Sequence, residues 1–224
     1  MDIGKKEFIE FMLGAGVLKF GEFITKSGRQ TPYFVNTGLY KTGGQISRLG
    51  TFYANLIQEK AGDSYDAMFG PAYKGIPLVV AAADALYREH NVDKPYCFNR
   101  KEVKDHGEGG SMVGYTPQDG DRFVIVEDVI TAGTAIRESM PALRAYGDIK
   151  VPHMCISVDR CEMGTDESGN IVKSTAVMHI REEYGIEVHS IVNVMDIHDF
   201  LKAGGEDKDV LERMEIYMDK YCML

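Results

Sequence analysis

Residues 123–135, FVIVEDVITAGTA, run from four apolar side chains into two adjacent carboxylates, Glu127 and Asp128, and then into a turn of small and hydroxyl-bearing residues. Two carboxylates at the carboxyl end of a strand can accept hydrogen bonds from a vicinal diol or help hold a hydrated magnesium ion. The turn Thr131-Ala132-Gly133-Thr134-Ala135 then opens a helix. Its small side chains let backbone N–H groups close on a ligand, the helix N-terminus favours an anion, and two threonine hydroxyls add donors. A diol or metal site beside a phosphate cradle fits a ribose phosphate. The plain alternative is a solvated strand end with Thr134 as a helix cap. The contiguous order of apolar run, acid pair and Gly/Thr turn favours the functional reading. Neither GxxxxGK[ST] nor a GxGxxG following a strand is present.

Two further constellations carry polar chemistry. RKEVKDHGEGG, 100–110, holds Arg100, Lys101, Lys104 and His106, interleaved with Glu102, Asp105 and Glu108. Its glycines allow hinge motion, so the segment can act as a lid whose cations close over an anionic leaving group; a solvated surface loop is the alternative. GPAYKGIP, 70–77, lies at a strand-to-helix junction, where Gly70 and Gly75 permit a tight backbone and Lys74 can meet a phosphate. Tyr33-Phe34 could stack on a flat ring or simply pack a strand. Arg160 could pair with a carboxylate. The six histidines show no HExxH or other ligand spacing, which argues against a structural zinc site, and no serine lies in a GxSxG setting.

The elements that must position these residues alternate. YDAMFG, KPYCFN, RFVIVED, KVPHMCISVDR and EVHSIVNV read as strands; GIPLVVAAADALYREH, TAIRESMPALRAYG and STAVMHIREEYG read as helices, with Pro141 a possible kink. Such alternation predicts βαβ units around a mostly parallel central sheet. Before it come a helical KKEFIEFMLGAGVL, a hairpin pattern in GEFITKSGRQTPYFVNTG and a helical GGQISRLGTFYANLIQEKAG; after it, two helices broken at Gly204–Gly205. The expectation is one α/β domain over 1–224, with a core of about 45–200 and a small hood from about 1–42 and the C-terminal segment.

The formal net charge of −9 argues against a generally basic nucleic-acid binder. No stretch approaches the roughly 20 apolar residues of a membrane span. Four cysteines without CxxC spacing suit reduced thiols. Together these predict a cytoplasmic protein with no nucleic-acid or membrane partner.

Read together, VIVEDVITAGTA, RKEVKDHGEGG, GPAYKGIPL and VDRCEMG resemble the type I phosphoribosyltransferases and, within them, the orotate phosphoribosyltransferases. The first motif alone points to the superfamily, as the binding motif for phosphoribosyl pyrophosphate (PRPP); the loop at 100–110 is the more selective. The resemblance runs from LKFGEFITKSGRQTPYF to the C-terminal helices. It implies transfer of the phosphoribosyl group from PRPP to N1 of orotate in pyrimidine biosynthesis, giving orotidine 5′-phosphate and pyrophosphate, with Mg2+ held mainly through PRPP and water. It further implies a homodimer in which the mobile loop completes the neighbouring site.

By position, the resemblance implies that Lys26 contacts PRPP and that Tyr33 and Phe34 lie against the orotate ring. Tyr73 and Lys74 would contact the substrates beside the pyrophosphate. Arg100, Lys101, Lys104 and His106 would bind and cover the pyrophosphate. Glu127 and Asp128 would hold the ribose hydroxyls, and the run continues through Val129 and Ile130 into Thr131, Ala132, Gly133, Thr134 and Ala135, the last five cradling the 5′-phosphate. Thr131 and Arg160 would help hold orotate. Glu127 stands where Asp is commoner in the family, Tyr33 where Phe is common, and CEMGTDESGNIVKST is somewhat extended. A phosphoribosyltransferase for another base and a non-catalytic PRPP-sensing regulator remain as alternatives.

Overall fold

The computed structural model describes residues 2–25, 28–100, 112–130, 133–165, 170–204 and 208–224, except the side chain of Thr134. In chain order the elements are α1 (Ile3–Gly14), β1 (Leu18–Ile24), β2 (Gln30–Val35), a 3-10 turn (Thr37–Leu39), α2 (Gly43–Lys60), β3 (Ala67–Phe69), α3 (Gly75–His90), β4 (Tyr96–Asn99), β5 (Met112–Gly114), β6 (Arg122–Val129), α4 (Thr134–Arg144), β7 (Lys150–Asp159), β8 (Met163–Thr165), β9 (Ile171–Thr175), α5 (Ala176–Tyr184), β10 (Glu187–Asn193), α6 (Val194–Gly204) and α7 (Lys208–Tyr221). Contacts divide the chain into two compact units. The first joins Met1–Lys41, Val158–Ala176 and Val192–Leu224; the second joins Thr42–Ser157 and Val177–Ile191.

The second unit is built on a six-stranded sheet in the order β10, β7, β6, β3, β4, β5. β3 pairs parallel with both β4 and β6, and β5 closes the edge antiparallel to β4. The continuous apolar runs AMF and FVIV suit strands buried on both faces. One face sends Ala67, Phe69, Cys97, Phe123 and Ile125 against Ile136, Met140 and Leu143 of α4 and Ile180 of α5. α3 lies against β3, β4 and β6, and α2 packs on α3. α2 starts on a capping box: Gln45 N–H donates to Thr42 Oγ1, and Thr42 N–H donates to Gln45 Oε1, each at 3.2 Å. α4 runs through Pro141 for one more turn.

The first unit holds α1, the antiparallel β1–β2 hairpin, the antiparallel β8–β9 hairpin, α6 and α7. α1 is capped by Asp2, whose Oδ1 accepts from Gly4 N–H at 2.9 Å, and it is tied to α6 by Lys5 Nζ–Asp196 Oδ2 at 2.9 Å. α7 packs on β2. No helix among the described residues is long and apolar enough to cross a membrane.

The mostly parallel sheet and its flanking helices follow the alternation read from the sequence. Three elements differ from that reading. β5 and the β8–β9 hairpin form inside or beside segments that read as polar interruptions, because strands of three to five residues leave too little periodicity to detect. Ser174 and Thr175 finish β9 instead of starting a helix; Ile171, Val172 and Thr175 are β-branched and suit a strand, and α5 begins at Ala176.

α2 and α3 pack closely. A Cβ on Gly50 would overlap the carbonyl of Ala81, lying 2.8 Å from its carbon, so α2 and α3 approach with no room for a methyl group. Gly50→Ala therefore forces the helices apart, an overpacking cost of about 1–3 kcal/mol. The expected result is a melting temperature lower by roughly 2–10 °C. An unchanged or raised melting temperature contradicts the packing described.

Candidate active site

Backbone alternation along β6 sends Phe123 and Ile125 into the α4 side of the sheet, so Glu127 continues on that side and Asp128 faces the α3 side. Both residues are only 6 % exposed. Their backbone carbonyls are pinned from two neighbouring elements: Tyr53 of α2 donates its hydroxyl to Glu127 O at 2.6 Å, and Ser157 of β7 donates to Asp128 O at 2.6 Å.

The side chains are held as closely. Glu127 Oε1 accepts from Asp128 N–H at 2.9 Å, Asp128 Oδ1 accepts from Val129 N–H at 2.6 Å, and Lys74 Nζ donates to Asp128 Oδ2 at 2.7 Å. The extra methylene of Glu127 is absorbed by this fold-back onto the backbone. Burial pushes the Glu127 carboxyl up to about 8, and the adjacent Asp128 charge adds to the rise.

Lys74 is aimed by the turn before α3. A Cβ on Gly70 would overlap the Gly75 carbonyl, and one on Gly75 would lie 2.8 Å from Gly70 C and 3.0 Å from Val126 O. The turn therefore closes on itself and against β6 only because both positions are glycine. Asn99, at the end of β4, accepts from Ala72 N–H at 2.9 Å and fixes the turn to the sheet. The result is a cavity of about 240 Å³ at the carboxyl ends of the strands. It is lined by Ala72, Tyr73, Lys74, Glu127, Asp128, Val129, Ile130, Gly133, Ala135, Ile136 and Met154. Gly133, with φ 68°, caps the start of α4 beside it.

In the first unit, Arg160 follows β7 and is nearly buried. Its Nε donates to Glu162 Oε1 at 2.7 Å, and Tyr217 of α7 donates its hydroxyl to the same oxygen at 2.6 Å. The guanidinium carbon lies 4.8 Å from the centre of the Tyr33 ring. Tyr33 is fully buried and meets Tyr217 edge-on at 6.1 Å. Phe34, the next residue of β2, points the other way, is 38 % exposed and stacks on Phe23 at 5.4 Å. Adjacent strand residues face opposite sides, so β2 presents one ring of this pair at the surface and buries the other.

The structure thus gathers Tyr73, Lys74, Glu127, Asp128, Val129, Ile130, Gly133 and Ala135 around one cavity. Arg100 lies just past β4. Lys26, Lys101, Lys104, His106, Thr131, Ala132 and the side chain of Thr134 lie outside the described residues. Sequence reasoning missed Tyr53, Ser157 and Asn99, and the partners Glu162 and Tyr217 of Arg160. Of these, only Asn99, at a strand's carboxyl end, and Glu162, two residues past Arg160, carry a local signal.

A phosphoribosyl transferase domain matches residues 38–193. The orotate phosphoribosyltransferase of Clostridium beijerinckii is 52% identical over 197 residues, covering 88% of this chain and 85% of the relative. That of Lachnoclostridium phytofermentans is 51% identical over 227 residues, covering 99% and 98%. The crystal structure of orotate phosphoribosyltransferase from Francisella tularensis superposes with a TM-score of 0.85 at 39% identity, covering 97% of this chain and 100% of that one. A buried acid pair bonded to Lys74 at the end of a parallel strand, and relatives that share half the residues along nearly the whole length, lead to one conclusion: the chain belongs to the phosphoribosyltransferase family and, within it, to the orotate phosphoribosyltransferases.

Proposed function

We propose that the chain transfers the phosphoribosyl group of PRPP to orotate with Glu127 and Asp128 as the seat of the ribose hydroxyls. The observation that carries this reading is the buried, pinned acid pair facing a cavity shared with Lys74 and the start of α4. A vicinal diol brings two donors and two acceptors, which a carboxylate pair accommodates in either protonation state, since a protonated Glu127 can donate. The backbone from Thr131 to Ala135 is assigned to the 5′-phosphate at the α4 N-terminus. Tyr73 and Lys74 are assigned to the pyrophosphate side. Arg100, Lys101, Lys104 and His106 cover the leaving group, and Lys26 contacts PRPP. By the family resemblance, Arg160 and Thr131 are assigned to polar groups of orotate and Tyr33 and Phe34 to its ring; Phe34 is the exposed member of that pair, and the Arg160 guanidinium lies over the Tyr33 ring.

The chemistry needs no protein nucleophile. N1 of orotate gives its electron pair to C1 of the ribose, the C1–O bond breaks with its electrons leaving on pyrophosphate, and the N1 proton is lost. The ribose passes through an oxocarbenium-like state, so this chain's residues act by placing the reactants and by stabilising charge. Exclusion of water by the loop cations protects PRPP from hydrolysis.

Magnesium belongs to the same proposal. Three of the four carboxylate oxygens of the acid pair already accept N–H bonds, one of them from the Lys74 ammonium. That donor set fits a hard cation through its water shell, with the oxygens of the diphosphate as its direct ligands. When bound, magnesium neutralises charge on the diphosphate. We also assign the active form to a cytoplasmic homodimer, in keeping with the family resemblance and with four free cysteines.

Release of pyrophosphate from PRPP, measured with orotate and a panel of other bases, with and without magnesium, tests the reading. Turnover with orotate and magnesium is expected; PRPP binding without turnover for any base favours a sensor instead. Asp128→Asn keeps the shape but removes the charge, and is expected to raise KM for PRPP about 10- to 100-fold, the scale of a lost charged hydrogen bond. Unchanged PRPP kinetics in that variant contradicts the assignment.

Glu127 gives a second test, in stability. Its folded-state pKa of about 8 lies above the ordinary 4.5, so between those values the folded chain holds a proton that the unfolded chain has released. Stability from this group is full below the lower value and falls as pH rises towards the upper one. Glu127→Gln removes the titration. Its melting temperature minus that of the parent chain should therefore increase from pH 5 to pH 8, and a difference that is flat or shrinks with pH contradicts the burial argument.

A further inference from the structure

Outside the active site, β7 and β10 lie side by side in the sheet. Glu187 and His189 are two residues apart on β10 and so share a face, and His153 of β7 meets them there. The ligand-type atoms of the three side chains all fall within 4.8 Å of one another. His153 Nδ1 lies 3.1 Å from His189 Nε2 and 4.0 Å from Glu187 Oε2. The His153 side chain is 15 % exposed, whereas that of Glu187 is 58 % exposed and able to change rotamer. No pair of these residues has a ligand spacing that the sequence reveals across 153 and 187–189; the sheet creates the cluster.

We propose that His153, Glu187 and His189 form a binding site for one zinc-class divalent cation, separate from the catalytic magnesium. Two imidazole nitrogens and one carboxylate oxygen are the donor set of borderline transition metals such as zinc or cobalt, and a poor match to magnesium, which prefers oxygen. With metal–nitrogen distances of about 2.0–2.1 Å, tetrahedral ligands stand a little over 3 Å apart. The two histidine nitrogens already have that separation, and only the exposed Glu187 must swing inward. The fourth position stays open to water. Ser64, just after α2, supports the arrangement: its Oγ is 3.1 Å from His153 Nε2. With Ser64 accepting from Nε2–H, the Nδ1 lone pair points into the cluster, the tautomer that a metal needs. With a proton on His189 Nε2, that N–H would donate to His153 Nδ1 across the 3.1 Å gap; binding of the cation would move this proton to His189 Nδ1 and leave Nε2 to the metal.

The neighbourhood of His189 favours its neutral imidazole. Burial, followed by the facing His153, lowers the proton affinity of His189, Lys60 adds to that effect, and Glu187 and Glu59 oppose it. The cation would cross-link β7 to the edge strand β10 and stabilise the folded chain by mass action.

The test uses the full, untagged chain stripped of metal with a chelator. Addition of zinc should raise the melting temperature by about 5–10 °C at a hundredfold excess over Kd. Cobalt should bind with a stoichiometry of one per chain and give the absorption of a tetrahedral site. Equal magnesium should do neither. Glu187→Gln, at an exposed position, should melt like the parent without metal and bind zinc at least tenfold more weakly; His189→Asn should abolish the cobalt band. Failure of zinc and cobalt to bind, an equal response to magnesium, or retention of the parent zinc affinity in Glu187→Gln overturns the proposal, even if the orotate reaction proceeds as described.

Discussion

Taking one ionised carboxylate out of water costs several kcal/mol unless it is paired and hydrogen-bonded, and two side by side also repel each other. This chain buries two in succession at the end of its central strand. The surrounding structure answers that cost group by group. Lys74 supplies the opposing charge, the next backbone N–H groups bond each carboxylate, and burial keeps Glu127 protonated more readily than usual. Tyr53 and Ser157 lock the carbonyls, so the strand end cannot relax by turning its acids out.

The rest of the second unit follows from that need. Lys74 reaches Asp128 only because Gly70 and Gly75 let the preceding turn fold against β6, and Asn99 holds the turn to the sheet. The apolar faces of β3 and β6, covered by helices, supply the rigidity that keeps these groups at fixed distances. A site so organised is suited to a reaction governed by placement and charge. In the first unit the same economy appears around Arg160, where one Glu162 oxygen takes both the guanidinium and the Tyr217 hydroxyl while Tyr33 packs beneath.

The central sheet could be read from the sequence because its strands are apolar runs separated by long, periodic helices. The acid pair could be read because three signals are contiguous in one stretch. β5 and the β8–β9 hairpin could not, being too short to show a period. Tyr53, Ser157 and the His153–His189 pair were invisible for a different reason: their partners lie far away in sequence, and only strand order brings them together. The aromatic pair Tyr33-Phe34 shows the opposite limit. Its presence was plain, but the strand's alternation divides its members between core and surface.

The central claim is that the buried acids meet the hydroxyls of a ribose. Competition against PRPP by ribose 5-phosphate and by 2-deoxyribose 5-phosphate tests it most directly, because the two sugars share the phosphate and differ in one hydroxyl. Loss of that partner leaves a buried polar group unsatisfied, a cost of about 1–3 kcal/mol. The deoxy sugar should accordingly inhibit roughly 5- to 150-fold more weakly than the ribose sugar. Equal inhibition by the two would contradict the assignment of Glu127 and Asp128.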